Sequence, residues 1–451
     1  MDSLSIYEIA DMCGGKLRGD GSRTVRRISK DTRTLVSGDL YLALRGENFD
    51  GNVYAKDAAA KGAAAAILDR PDSATGLAAD FPVIVVEDAL IALQRLASAW
   101  RDRLAIKVAC VTGSSGKTST KEFTAGVFSV RYRVSKTEGN LNNHIGVPLS
   151  ILSTSTADDA AVWEIGMSHP GEIAPLARLA RPDLAIITNI GTAHIEYMGS
   201  REAIALEKGA LAEAVSRSGA VVLPSGDDMS AGIAKRTKAR VVLAGLTAGS
   251  VTASGLIMQP DGCSFTLQAD GESVPARIAA PGEHMVRNAL LAVAAGLEFG
   301  LSLEECAEGL AAARLTGGRL TRRVVRGITI LDDTYNANPD SMEAALQTLK
   351  ALPAGRRVAV LGRMGELGSH ATEGYERVGR ASAASLDVLI GVGPETFALT
   401  ETARTQGLKD VYETSNTAEA ADLLRQLVQE NDVVLLKGSR SARMEHILEI
   451  F

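Results

Sequence analysis

Short apolar stretches recur along most of this chain, each closed by a polar or glycine-rich cluster and followed by a helical period. In the middle of the sequence they predict strands at Ile106–Val111, Ala160–Ile165, Leu184–Ile190, Ala220–Leu223 and Val241–Ala244. Further on the pattern resumes at Ile328–Leu331, Arg357–Leu361, Val388–Val392 and Val433–Leu436. Strands alternating with helices predict mostly parallel sheets covered by helices, which bind ligands at the carboxyl ends of their strands. The first eighty or so residues are less regular. They predict short mixed elements, an apolar strand at Asp39–Leu44 and an alanine-rich helix over Ala55–Ala66.

Length and punctuation divide the chain. At 451 residues it exceeds one hydrophobic core. The expected fold class is α/β in three domains: a small N-terminal α/β domain (1–82), a central P-loop parallel-sheet domain (83–316) and a C-terminal Rossmann-like domain (317–451). A hinged enzyme with its site in a cleft is the expected arrangement. Aromatic residues make up only 4% of the chain, so alanine, valine, leucine and isoleucine must fill the cores.

Charge and cysteine content exclude some classes. The net charge is −6 and no basic run occurs, which argues against broad nucleic-acid binding. No stretch of about 18 apolar residues is present, and the N-terminal residues do not read as a signal peptide. Cys13, Cys110, Cys263 and Cys306 are too scattered for a zinc site or a disulfide framework, so a reducing cytoplasm is expected.

The strongest chemical signal follows the strand at Ile106–Val111. Gly113-Ser114-Ser115-Gly116-Lys117-Thr118-Ser119 joins a strand to a helix, with small residues, then a lysine, then a hydroxyl. Such a loop lets backbone N–H groups curl round a phosphate, beside a cation and a hydroxyl that can hold Mg²⁺. The helix N-terminus adds its positive end. The common form has a further glycine five residues before Gly116, where this chain has Val111, so the loop is a variant. It reads as a nucleoside triphosphate site.

Other candidates carry less by themselves. Glu164 ends a strand beside the apolar core, where a buried carboxylate demands a partner; Mg²⁺ next to a triphosphate is one. His194 lies at another strand end, but hard cations prefer oxygen, so on chemistry alone it reads as an ordinary loop histidine. Asn140, Asn142 and Asn143 crowd one loop and suit either a turn or an amide-binding site. Lys208 falls in a helix capped by Ser200 and by pattern alone would face solvent. His284 and Asn288 share a helix face, which suits core packing or contact with a nucleotide.

Taken in order, TGSSGKTSTKE, GNLNNHIGVPL, WEIGM, TNIGTAHIE, PGEHMVRNAL, DDTYNANPDS, MGELG and LLKGSR resemble the Mur ligases over nearly the whole chain. The resemblance implies an ATP-dependent amide ligase using Mg²⁺, with UDP-N-acetylmuramoyl-tripeptide and D-Ala-D-Ala as its partners and a monomeric state. It implies that Gly113–Ser119 bind the ATP phosphates, that Thr118, Glu164 and His194 hold metal, and that Lys208 supports metal as a carbamate. His284 and Asn288 would lie near the adenine, with Arg319 and Asp333 contacting the nucleotide from the C-terminal side. Asn140, Asn143, Asn336 and Asn338 would contact acceptor groups. Thr32, Arg33, Gly46, Asp50 and Gly51 would grip the UDP end. Three positions depart from the family pattern: Arg363 replaces an aspartate, Pro224-Ser-Gly replaces an Asn-Ala segment, and Thr32 replaces a serine. A nucleotide-dependent switch and a small-molecule kinase are the competing readings from other classes.

Overall fold

Alternation of buried strands and capped helices persists through the computed structural model, which describes residues 1–450. The chain forms two compact units. The first comprises Met1–Cys110, Tyr132–Ile165 and Ala174–Pro182; the second comprises Val111–Arg131, Gly166–Ile173 and 183–450.

The first unit carries a five-stranded sheet in the order Lys16–Arg18, Val83–Val85, Ala65–Leu68, Leu40–Leu42, Ile28–Ser29. Only the Lys16–Arg18 pairing is antiparallel. Tyr41, Ala43, Ala55, Ala58, Ala66 and Leu68 form its small core. Here one expectation fails. The alanine-rich helix stops at Ala60, and Ala65–Leu68 is a central strand buried on both faces. Gly62, at φ +86°, makes the turn between them. Alanine favours helix weakly, and a place inside a parallel sheet overrides that preference. Helix Ala89–Arg103 starts at an Asp88 cap. Near its end Arg101 is buried and donates to the carbonyls of Leu104, Ala180 and Arg181. Strands Val134–Lys136 and Ala160–Glu164 run parallel, and the second ends at Glu164.

In the second unit, strands Leu184–Ile187, Ala220–Pro224 and Arg240–Ala244 are parallel, as the pattern predicts. Thr188 N–H donates to the Thr112 carbonyl at 2.9 Å, which brings the start of the phosphate loop beside the first of them. Three long antiparallel strands then follow, Val251–Gln259, Gly262–Ala269 and Glu272–Ile278, which the strand–helix alternation does not anticipate. Helix Lys117–Phe128 packs on Glu283–Glu298 and Leu303–Ala312 at close range; a Cβ on Gly309 would lie 2.4 Å from the Val127 Cα. The last sheet runs Thr321–Val325, Ile328–Asp333, Val433–Lys437, Arg357–Leu361, Val388–Val392, Asp410–Thr414. Its first pair is an antiparallel hairpin and the rest are parallel. Polar loops therefore gather at the carboxyl ends of two sheets in this unit.

No helix among the described residues is long and apolar enough to cross a membrane. All four cysteines are buried and free.

Candidate active site

Residues 113–118 form a cradle whose shape depends on glycine. Gly113 has φ +151° and Gly116 has φ +77°. A Cβ on Gly113 would lie 1.8 Å from Thr188 Oγ1, and one on Gly116 would lie 2.7 Å from both amide atoms of Asn288. Side chains are thus excluded by conformation and by space. We predict that Gly113→Ala lowers nucleotide affinity at least about ten-fold with the fold retained, as read by calorimetry with ADP.

The strand end at Thr188-Asn189 braces this loop. Ser114 N–H donates to the Asn189 carbonyl at 3.0 Å, and Ser115 N–H donates to Asn189 Oδ1 at 2.9 Å. Thr188 Oγ1 donates to the Ser115 carbonyl at 2.5 Å. Lys117, the first residue of its helix, donates through Nζ to the Gly113 carbonyl at 2.8 Å. Its charge is therefore held at the mouth of the loop. Thr118 and Ser119 are buried in the first turn. Arg319 lies over the Tyr335 ring, 4.1 Å from its centroid, and donates to Thr118 Oγ1 at 2.9 Å.

Lys208 does not face solvent. Its side chain is fully buried, and Nζ has no hydrogen-bond partner. Burial, and after it the Lys117 charge, hold its ammonium form well below the ordinary lysine range. Easier loss of its proton favours the amine form that adds to CO₂, so the environment fits the carbamate that the resemblance implies. His194 sits in the left-handed region at φ +66°, a strained conformation for histidine. Its Nδ1 approaches Glu366 Oε2 to 2.6 Å, close in distance but off the line of a good N–H···O bond. Glu366 is itself left-handed at φ +60°.

His284 and Asn288 do share a face of helix Glu283–Glu298, but they meet different surroundings. Asn288 packs on the phosphate loop at Gly116. His284 keeps some surface, yet dense packing around the imidazole pushes its pKa down to about 4, leaving it uncharged at neutral pH. Asp333 accepts from Lys437 Nζ at 2.6 Å, an almost buried ion pair. Asn336 Oδ1 accepts from the Ala337 N–H. Asn338 caps helix Pro339–Ala351 and donates through its amide to Ser115 Oγ at 3.2 Å. The second unit thus brings the phosphate loop together with Asn288, Arg319 and Asn338.

The first unit holds the remaining candidates. Glu164 is buried and accepts from Asn142 Nδ2 at 2.8 Å, so the central asparagine of the loop engages the acid. Asn143 accepts from the N–H groups of Ile145 and Gly146 and serves as a local cap, while Asn140 is exposed. In a separate region, Arg33 is largely exposed and pairs with Asp31, holding that carboxyl down at about 2. The Thr32 carbonyl accepts from Lys61. Gly46 and Asp50 lie in a small hairpin, Asp50 caps the turn Gly51–Tyr54, and the stacked rings of Phe49 and Tyr54 stand beside them. A Cβ on Gly51 would lie 2.7 Å from the Leu44 carbonyl oxygen.

At two of the three departures the structure shows the contacts made around the replacement. Asp227, within Pro224-Ser-Gly-Asp-Asp, accepts from the Ile190 N–H at 2.7 Å. Asp228 pairs with Arg201, which also donates to the Ile190 carbonyl, so this segment braces the loop after Thr188-Asn189. Arg363 is half-exposed and 3.9 Å from Glu395; its carbonyl accepts from Ser439 N–H at 2.7 Å. Sequence reasoning missed Asp340, Glu366, Arg377 and Lys437 as participants. Asp340, Glu366 and Lys437 lie within the motifs DDTYNANPDS, MGELG and LLKGSR, whereas Arg377 reads as an ordinary solvated helix cation.

Among the described residues no three His, Cys, Asp or Glu side chains converge as a metal cage. Mg²⁺ beside a triphosphate needs few protein ligands, because phosphate oxygens and water complete its octahedron. The glycine cradle and the unpartnered Lys208 amine both fit a site for a nucleotide with its metal.

Three family descriptions match in chain order: Mur ligase family, catalytic domain, at 24–101; Mur ligase middle domain at 111–296; and Mur ligase, glutamate ligase domain, at 318–440. The UDP-N-acetylmuramoyl-tripeptide–D-alanyl-D-alanine ligase of Escherichia coli K12 is 35% identical, covering 99% of this chain and 98% of its own. The Bacillus subtilis ligase of the same name is 37% identical, with 100% and 98% covered. Among solved structures, MurF from Acinetobacter baumannii aligns with a TM-score of 0.90 at 33% identity, covering 100% of this chain and 98% of that one. MurF from Thermotoga maritima, solved in complex with ADP, aligns at 0.83 and 28% identity, covering 95% and 97%. A glycine-built phosphate loop, a second sheet presenting its strand-end loops to it, and likeness from end to end lead to one conclusion: the chain belongs to the Mur ligase family.

Proposed function

We propose that this protein joins the free carboxylate of UDP-N-acetylmuramoyl-tripeptide to the amine of D-Ala-D-Ala, with ATP converted to ADP and phosphate. The observation that carries this reading is the meeting of the phosphate cradle with the Asn338 loop of the C-terminal sheet. An acid activated at one is then within reach of an amine held at the other.

The tripeptide carboxylate attacks the γ-phosphorus, the bond to the β-phosphate oxygen breaks, and ADP leaves an acyl phosphate. The dipeptide amine then attacks the acyl carbon, phosphate departs, and the nitrogen loses a proton. Charge and position dominate such a transfer. Within the Gly113–Ser119 loop the helix start supplies N–H donors, and Lys117 neutralises the transferring phosphoryl group. Mg²⁺, when bound, adds Lewis-acid charge neutralisation. Thr118, Glu164 and His194 are its proposed holders, and Lys208 as a carbamate supplies an anion where an ammonium would repel it. His284 and Asn288 flank the nucleotide, with Asn288 toward the phosphates, and Arg319 and Asp333 close on it from the C-terminal side. Asn140, Asn143, Asn336 and Asn338 contact the peptide groups. Thr32, Arg33, Gly46, Asp50 and Gly51 hold the UDP end. In this reading 1–82 grips UDP, 83–316 binds ATP and 317–451 carries the dipeptide, and a monomer in the cytoplasm performs the reaction.

A coupled assay tests it. ADP release should require both the UDP-linked tripeptide and the dipeptide. Release stimulated by neither, or a phosphorylated product formed without amine, would remove the ligase reading.

A further inference from the structure

Helix Pro339–Ala351 begins against the phosphate site, and its second residue, Asp340, is the hub of a contact that the reaction scheme above does not use. Asp340 Oδ2 accepts from the Thr192 N–H at 2.7 Å and from Thr192 Oγ1 at 2.9 Å. Asp340 Oδ1 accepts from Arg377 Nη2 at 2.6 Å. Arg377 also grips Glu343 through Nε and Nη2, both at 2.6 Å. The position tolerates little change: a Cβ on Gly191 would lie 2.2 Å from Asp340 Oδ2.

The contact leads directly to the phosphate loop. Gly191 N–H donates to Ser114 Oγ at 2.9 Å, one residue before Thr192. Two residues before Asp340, Asn338 reaches Ser115 Oγ. The start of one helix therefore fixes two adjacent serines of the cradle. Burial opposes charge on Asp340, but the Thr192 N–H and Arg377 outweigh it and keep the carboxyl below its usual range. An anion in the first turn of a helix is further favoured by the helix dipole.

We infer that Arg377 is a positioning residue for the ligase reaction. By clamping Asp340 onto Thr192 it seats the 334–338 loop, and the amine acceptor carried there, over the activated acid. Two parallel contacts to Glu343 and a third to Asp340 give the guanidinium a directional hold that a point charge lacks. Amide formation needs the amine within near-attack distance, and a displacement of about 1 Å can cost on the order of 100-fold in rate. If the seated state is only fractionally populated, the apparent affinity for the dipeptide falls by that fraction. The inference rests on the proposed ligase activity.

The test uses the full-length chain and its Arg377→Ala, Arg377→Lys and Glu343→Gln variants. Kinetics are read by ADP release with the tripeptide and D-Ala-D-Ala, nucleotide binding by calorimetry, and protection of the Thr192 amide by hydrogen exchange. Arg377→Ala should lower kcat/KM for the dipeptide by about 30-fold or more, with nucleotide Kd changed less than about three-fold. It should also speed exchange at Thr192. Arg377→Lys should recover at least about three-fold of the loss, and Glu343→Gln should stay within about three-fold of the parent. Parent-like kinetics in Arg377→Ala, an equal loss in Glu343→Gln, or no recovery with lysine overturns the inference while the ligase reading stands. A parent chain that needs no dipeptide for ADP release overturns the ligase reading itself, and the inference with it.

Discussion

Lys117→Ala is expected to abolish turnover while leaving a folded protein. The side chain starts a helix and is tethered by the Gly113 carbonyl at 2.8 Å, at the edge of the core rather than within it. Losing that hydrogen bond costs about 1 kcal/mol of stability, and the thermal midpoint should move by only a few degrees. What disappears with it is a fixed positive charge beside the transferring phosphoryl group. Interactions that strengthen as charge develops in the transition state are worth about 3–4 kcal/mol each, a loss in kcat of about 10²–10³ or more. Substantial activity in a well-folded Lys117→Ala protein would refute the role assigned to this residue. Single-turnover measurements with saturating nucleotide separate the chemical step from binding.

Lys208→Met should produce the second large effect, with the opposite sign for stability. Methionine keeps the length and apolar stem of the side chain but removes a fully buried amine that has no hydrogen-bond partner. Relieving that burial should leave the thermal midpoint unchanged or raised. The proposed carbamate role predicts that activity nevertheless falls by about 100-fold or more, since the variant cannot form that anion beside the metal. In CO₂-free buffer the amine also leaves a pH signature. Its pKa in the folded chain lies well below the 10.5 of an ordinary lysine. Unfolding therefore takes up a proton across that window, and stability rises with pH toward 10.5. Lys208→Met should flatten that rise. The carbamate is checked separately by removing CO₂ and restoring bicarbonate. Activity independent of bicarbonate, together with a bare amine in electron density, would rule carboxylation out.

Both residues show how unevenly the site could be read in advance. Lys117 was legible because backbone curvature and charge there come from consecutive residues: glycine and serine make the loop, and the cation follows immediately. Glu164 was legible for a similar reason, since a carboxylate at the end of an apolar strand is placed by local pattern. Lys208 was not. Its helix has a polar cap and a mixed face, and nothing within Arg201–Glu213 says that this lysine points inward. The family likeness singled it out; packing explains why it differs from other helical lysines. Asn143 stands between these cases, a candidate acceptor contact whose Oδ1 also caps its own turn.

The alternation of strands and helices beyond the first eighty residues, the two mostly parallel sheets it implies, and the phosphate loop are legible from sequence alone, because each is specified by residues close together along the chain. Only the tertiary fold makes Ala65–Leu68 a strand, buries the Lys208 amine without a hydrogen-bond partner, and sets Arg377 to hold Asp340 on Thr192. Those outcomes depend on groups far apart in sequence, where the cost of removing a charge from water and the close approach of backbones outweigh local preference.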